Sequence, residues 1–390
     1  MIIKQKYSLL KVILVIAVLF NVALPKGGFA VANIPITWGY IILFLIIGFS
    51  LISGLSIKKI SKLKLEAILC SLPFTFYFIA YLFYVKEYPP TGFVVSLILN
   101  IVVFPVVFLL FFDRITKYIL KNDEFFHKII LRSILFISVF GLFLFFYRIK
   151  IGSYFEIPYV TVNIKDYGLS NSKYNLRFGS LSKLISTYSN GNIFGICMFF
   201  LLPFTKNHKV HKTLLKIAMV LTLSRTVWAG MLIYEVISYR KHFVKMIYIG
   251  VTILSIIIIV MIFVLNVDAN FIFDSSLGGR LKGEGMDISI FFHDKVFYGI
   301  NEMTYKDMLA QMGVVGLLLF MLQIFTPVYL SFQRDIKRLN ENQKQLRVGV
   351  LTYLIVAFID GAYLFIPVSL FFWFSSAYII STTPENIENE

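Results

Sequence analysis

Residues 129–147 read IILRSILFISVFGLFLFFY, a run in which Arg132 is the only charged side chain. At 1.5 Å per residue a helix of that length covers ~28 Å, close to the ~30 Å hydrocarbon layer of a bilayer. In hydrocarbon every backbone N–H and C=O must be paired within its own segment, so the stretch reads as a membrane-spanning helix. The same texture recurs outward from it, in apolar windows at 8–24, 36–55, 67–85, 92–112, 184–205, 212–224, 226–239, 246–265, 305–330, 347–362 and 364–380. The whole chain is 58% hydrophobic and only 15% charged, where a soluble domain carries roughly 25% charged residues. The expected fold is an all-α polytopic membrane protein, a single transmembrane domain over 1–390 with about 12 transmembrane helices. The count becomes eleven if 212–239 is one long helix.

The net charge of +16 invites a nucleic-acid reading, but the charge follows topology instead. With the N-terminus cytoplasmic, 22 of the 37 Lys and Arg fall in cytoplasmic segments, including Lys58–Lys64 and Arg334–Arg347. That is the positive-inside pattern, and it places both termini in the cytoplasm. Residues 1–32 have a basic start, an apolar run and Ala30-Val31-Ala32, which is also the texture of a signal peptide. Keeping the segment preserves the charge alternation, so it is counted as the first span. Cys70 and Cys197 stand in separate apolar windows without CxxC spacing, which implies packing and neither a metal nor a redox site.

Two outer segments, about 148–183 and 266–304, are too long to be plain connectors. The first holds Tyr154, Phe155, Tyr159, Tyr167, Tyr174 and Phe178, with six basic residues against Glu156 and Asp166. An aromatic belt accounts for the rings, but the excess of cations outside runs against the topology rule. The segment leads through Arg177-Phe178-Gly179 into Asn190-Gly191-Asn192, where an Asn-capped helix start would offer free N–H groups to an anion. A second station is Thr222-Leu223-Ser224-Arg225. An arginine inside an apolar stretch is costly unless it meets water or a partner, so two short helices are expected to meet at Ser224-Arg225, with the guanidinium turned to a polar cavity rather than snorkelling to headgroups. The third is Gly278-Gly279-Arg280-Leu281-Lys282-Gly283, which lacks the ending of a nucleotide-binding P-loop. Arg177, Arg225 and Arg280 thus reach one membrane face from separate parts of the chain, and forked guanidinium groups suit a diphosphate.

These stations, in this order, resemble the O-antigen polymerase and ligase superfamily of bacterial envelopes over roughly residues 150–320. The matching elements are Arg177-Phe178-Gly179 with Asn190-Gly191-Asn192, then Thr222-Leu223-Ser224-Arg225, then Gly279-Arg280, and last Gly313-Val314-Val315-Gly316. The resemblance implies a metal-independent glycosyltransferase of GT-C-like fold in the bacterial inner membrane, with no cofactor and with both long loops periplasmic. It would polymerise oligosaccharide units carried on undecaprenyl diphosphate, within membrane lipid, alongside a chain-length regulator protein and without nucleic acid. Ligases of the superfamily place a His before the helix that closes the long loop. Here the stretch reads Asn301-Glu302-Met303-Thr304-Tyr305, and His293 stands about ten residues earlier, which favours polymerase.

In such a reaction negative charge grows on the diphosphate leaving group, and preorganised cations stabilise it. Arg280, Arg225 and Arg177 are the expected cations, and Glu302 is the first candidate to receive the acceptor hydroxyl's proton, ahead of Asp294 and His293. Asn190, Asn192, Ser224, Lys282, His293 and Tyr305 are expected to line the substrate. Solvated loop charges are the plain alternative for each titratable residue. The competing functions are a ligase or other lipid-linked glycan transferase, and a flippase or transporter. The last would show related halves and midplane ionisable groups, whereas the acidic residues in the later windows, Glu235, Asp307 and Asp360, lie near helix ends.

Overall fold

The computed structural model describes residues 2–31, 34–52, 60–86, 88, 91–171, 175–177, 181–238, 289–292, 303–333 and 339–382. The fold is mostly helical. In chain order the helices are α1 (Ile2–Val18), α2 (Trp38–Ile52), α3 (Lys62–Tyr84), α4 (Thr91–Phe111), α5 (Asp113–Lys121) and α6 (Asp123–Ile151), followed by α7 (Gly191–Leu201), α8 (Lys209–Val220), α9 (Arg225–Ser238), α10 (Thr304–Gln333), α11 (Glu341–Asp360) and α12 (Ile366–Ile379). Among the described residues α3, α4, α6 and α10 are long and apolar enough to cross a membrane, and shorter apolar helices accompany them. Window 246–265 lies outside the described residues.

Local chemistry sets most boundaries. The Ser61 side chain accepts the Lys64 N–H at the start of α3, and α6 runs on to Gly152, whose left-handed φ of 87° stops it. The first outer segment therefore starts four residues later than expected. Asn340 and Gln343 form a reciprocal capping box at the start of α11. The amphipathic α5 was not foreseen as an element. It is held to α3 by Lys64, which is fully buried and bonds both Asp113 Oδ1 and Thr116 Oγ1 at 2.9 Å.

Two short antiparallel hairpins depart from the all-α expectation. In one, β1 (Gly28–Val31) pairs with β2 (Ile34–Thr37); in the other, β3 (Leu176–Arg177) pairs with β4 (Leu181–Ser182). The first is clamped to the outer segment, because Asn163 Nδ2 donates to Phe29 O at 2.6 Å and Trp38 Nε1 to Tyr159 O at 2.6 Å. Lys26 reaches Ser170 Oγ at 2.9 Å from the same side.

One continuous cluster of buried apolar side chains runs from Leu14 on α1 to Ile380 beyond α12. The antiparallel pair α3–α10 is central to it. Phe74 packs on Phe320 at 5.3 Å between ring centroids, and the Tyr77 hydroxyl donates to Met312 O at 2.7 Å. Just past that contact Gly313 takes φ +70° and breaks the helical path of α10. The N–H groups of Val314 and Val315 then bond Ser289 O and Ile290 O, both at 3.0 Å. Phe292 donates its N–H to the Tyr77 hydroxyl at 2.9 Å, and its ring sits among Tyr77, Tyr81 and Tyr84. Residues 289–292 of the second long segment are therefore docked onto the kink in α10.

Candidate functional site

Four element ends meet at one end of the bundle: the starts of α7, α9 and α10, and the finish of α11. Asn190 caps α7, its Oδ1 accepting the Ile193 N–H at 2.9 Å. The residues before it do not continue the helix as expected for window 184–205. Leu184 donates instead to Leu221 O at 2.9 Å in the turn between α8 and α9. Gly191 is pressed against that turn, since a Cβ there would lie 3.1 Å from Thr222 O and 3.0 Å from Leu184 O.

The turn itself is as expected. Helices α8 and α9 stop and start at Leu221–Ser224, and Ser224 Oγ receives the Val227 N–H at 3.4 Å, a weak cap. Arg225 opens α9 and is half-buried. Tyr305 opens α10 but turns its hydroxyl into the bundle, onto Leu354 O at 3.1 Å, with its ring 4.3 Å from that of Phe358. That side chain holds α10 against α11.

The residue that sequence reasoning set aside is Asp360. It is the last residue of α11 and is wholly buried, and its Oδ2 accepts the Asn192 amide at 3.1 Å across the α7–α11 contact. Asn192 is itself buried, and its Oδ1 has no hydrogen-bond partner among the described residues. Gly361 follows directly and lets α10 approach, because a Cβ there would meet Thr304 Oγ1 at 2.2 Å. The signal available in the sequence was an acid closing an apolar window beside a glycine.

Backbone strain gathers at the same junction. Among the described residues four non-glycine positions take positive φ, and three of them are Ser186 (52°), Leu223 (52°) and Ala362 (44°). Each lies within five residues of Gly191, Arg225 or Asp360. Such conformations cost of order 1–3 kcal/mol and persist where surrounding structure demands them, commonly at functional sites. Three helix starts converging also bring the positive ends of three helix dipoles together, which favours an anion or a buried carboxylate.

The backbone of Arg177 lies in β3, opposite Leu181. Its side chain, and the whole of Arg280, Lys282, His293, Asp294 and Glu302, lie outside the described residues. The flanks of 293–302 are placed, Phe292 by Tyr77 and Thr304 by Gly361. Among the described residues no group of His, Cys, Asp and Glu is arranged to hold a metal ion. Cys197 is buried and Cys70 half-buried, in separate helices. No family model, no curated protein and no solved structure matches the chain.

Proposed function

We propose that this protein is a membrane glycosyltransferase that polymerises lipid-linked oligosaccharide units at the end of the bundle where α7, α9, α10 and α11 meet. The observation that carries the reading is the buried Asn192–Asp360 pair, set among three helix starts and three strained backbone positions. The helix starts suit the diphosphate of a lipid carrier. The unpartnered Asn192 Oδ1 and the adjoining carboxylate are acceptors of the kind a sugar hydroxyl requires. Arg225, at the first turn of α9, is the cation nearest this junction in sequence, and Arg280 and Arg177 complete the proposed clamp on the leaving group. Polymer grows when the hydroxyl of one lipid-linked unit attacks the anomeric carbon of another. The carrier diphosphate departs, and the proton passes to a carboxylate, with Glu302 the first candidate in the loop. The inner membrane of a bacterium, with the site facing the periplasm, is the setting this chemistry implies.

The test is the surface glycan of a strain lacking the gene. Its lipopolysaccharide should carry core plus a single repeat, with the ladder restored by the wild type. Arg225→Ala should fail to restore it at normal protein level, and Arg225→Lys should do so in part, because a point charge lacks the guanidinium fork. Bare core in the deletion strain would indicate ligase, and a full ladder with Arg225→Ala would remove this arginine from the mechanism.

A further inference from the structure

Along the first helix lies a cavity that the proposed reaction does not use. It is about 70 Å³ in volume (the space open to the centre of a water molecule) and its wall is almost wholly apolar. One side is a stripe from Leu10 through Leu14 and Val18 on α1 to Val22 in the π-helical turn Leu19–Ala23 that continues it. Those positions recur at the spacing of a single helix face, and twelve steps along a helix cover ~18 Å. The cavity is therefore a slot rather than a sphere. Its other walls come from α2, α4, α5, α6, α7, α11 and α12, with Phe108 and Phe374 facing the stripe. Asn21, the one amide on the wall, donates to Ala17 O at 2.8 Å and so makes its bond inside its own helix.

Water finds few partners in such a slot, and in soluble proteins comparable apolar cavities stay dry and take up apolar ligands. Here the neighbouring phase is hydrocarbon, and a straight chain of about fifteen carbons matches ~18 Å, at the ~1.2 Å of advance per bond of an extended chain. The end of the slot at Leu10 is marked by charge. Lys11 is exposed, with its ammonium 5.3 Å from the Phe125 ring centroid. Helix α5 turns Ile115 and Tyr118 into the slot and presents Arg114 and Lys121 outward. Cations at the rim of an apolar slot fit a phosphate headgroup.

We propose that this slot holds one hydrocarbon chain of a phosphate-bearing membrane lipid, with the headgroup at Lys11 and Arg114. The chemistry is shared by an acyl phospholipid and by a polyprenyl phosphate. The site is separate from the proposed transfer reaction and stands or falls without it.

The experiment uses the full chain in detergent with Phe108→Trp, which keeps an aromatic ring on the cavity wall and directs its added ring toward the open space. Phosphatidylglycerol brominated along one acyl chain quenches tryptophan only on contact, so the added emission should fall by about half relative to unbrominated lipid. Native Trp373, fully buried and not on the wall, marks an interior that lipid does not reach. Displacement of the quench by unbrominated phosphatidylglycerol but not by polyprenyl phosphate identifies an acyl chain, and the reverse identifies a prenyl chain. Lys11→Glu should weaken the lipid's apparent affinity severalfold. Native mass spectrometry of the unmodified protein gives a second reading that no substitution can disturb: a lipid mass should be retained through purification. Added emission that brominated lipid leaves unchanged, together with a lipid-free mass, would overturn the proposal.

Discussion

Asp360 shows what a single residue can carry. A carboxylate at the end of an apolar helix looks like a solvated cap in sequence, yet it is fully buried and bonded to Asn192. Removing one partner of a buried polar pair takes a hydrogen bond from the other, at about 1–3 kcal/mol, more where a charge is involved. Asn192→Leu, which cannot donate, should therefore lower the thermal midpoint and abolish polymer. Asp360→Asn keeps the shape and one acceptor oxygen, so it should leave the protein folded and depress polymer formation by roughly 10²-fold, the scale of lost electrostatic or acid–base assistance. Ladders measured against protein level separate the two effects. Wild-type polymer from Asp360→Asn would reduce the carboxylate to a structural role.

Gly313 makes a sharper stability prediction. Its φ of +70° is unfavourable for any residue with a Cβ, and that Cβ would stand 2.4 Å from Phe291 O. With ψ near 180° this is a region kept essentially for glycine, and the backbone term alone is roughly 1–3 kcal/mol. Gly313→Ala should loosen the docking of 289–292, seen as faster amide exchange at Val314 and Val315. Exchange rates unchanged from wild type would contradict that packing.

At the scale of elements, the junction where α6, α8, α11 and α12 meet contains a chain of hydrogen bonds. Asp123 Oδ1 accepts the amides of Asn340 and Asn342 and the Tyr378 hydroxyl, at 3.0, 2.6 and 2.9 Å. Asn342 gives its amide to Asp123, so its oxygen is left to accept from His127 Nδ1 at 2.8 Å. His127 Nε2 then faces His208 Nε2 at 3.3 Å, a gap that holds one proton and not two. Burial first, then His127 and His211, lower the pKa of His208 from its ordinary value of 6.5. A depressed imidazole pKa means the unfolded chain takes up the proton first as pH falls. The contribution is therefore full above about 6.5 and is lost below it. The thermal midpoint should fall as pH drops below about 6.5, and His208→Gln should flatten that dependence. An equal slope in both proteins would show that His208 does not govern it.

The helices were legible because a bilayer allows few alternatives. Apolar windows of the right length and charged loops between them placed α3, α4, α6 and α10 almost unaided. The break at Ser224-Arg225 was also readable, from one arginine in an apolar run. What escaped was set by contacts distant in sequence. The hairpin 28–37 exists because Asn163 and Tyr159 supply partners from another segment. Helix α7 starts at Gly191 because Leu184 is bonded to Leu221. Asp360 gained its place from Asn192, on a helix far away in the chain. No periodicity encodes such pairings.

For the whole molecule, one apolar cluster joins α1 to α12, with strained turns and the Asn192–Asp360 pair at one end and an apolar cavity along α1. The proposed polymerase chemistry needs a lipid-linked donor and acceptor at the strained end and no third component. The most direct measurement is the product formed by purified protein given lipid-linked repeat units alone, in the presence of EDTA. A ladder of lengthening oligosaccharides, lost in Arg225→Ala, is the expected result. No transfer at all, or transfer only when lipid A-core is added, would contradict the polymerase reading.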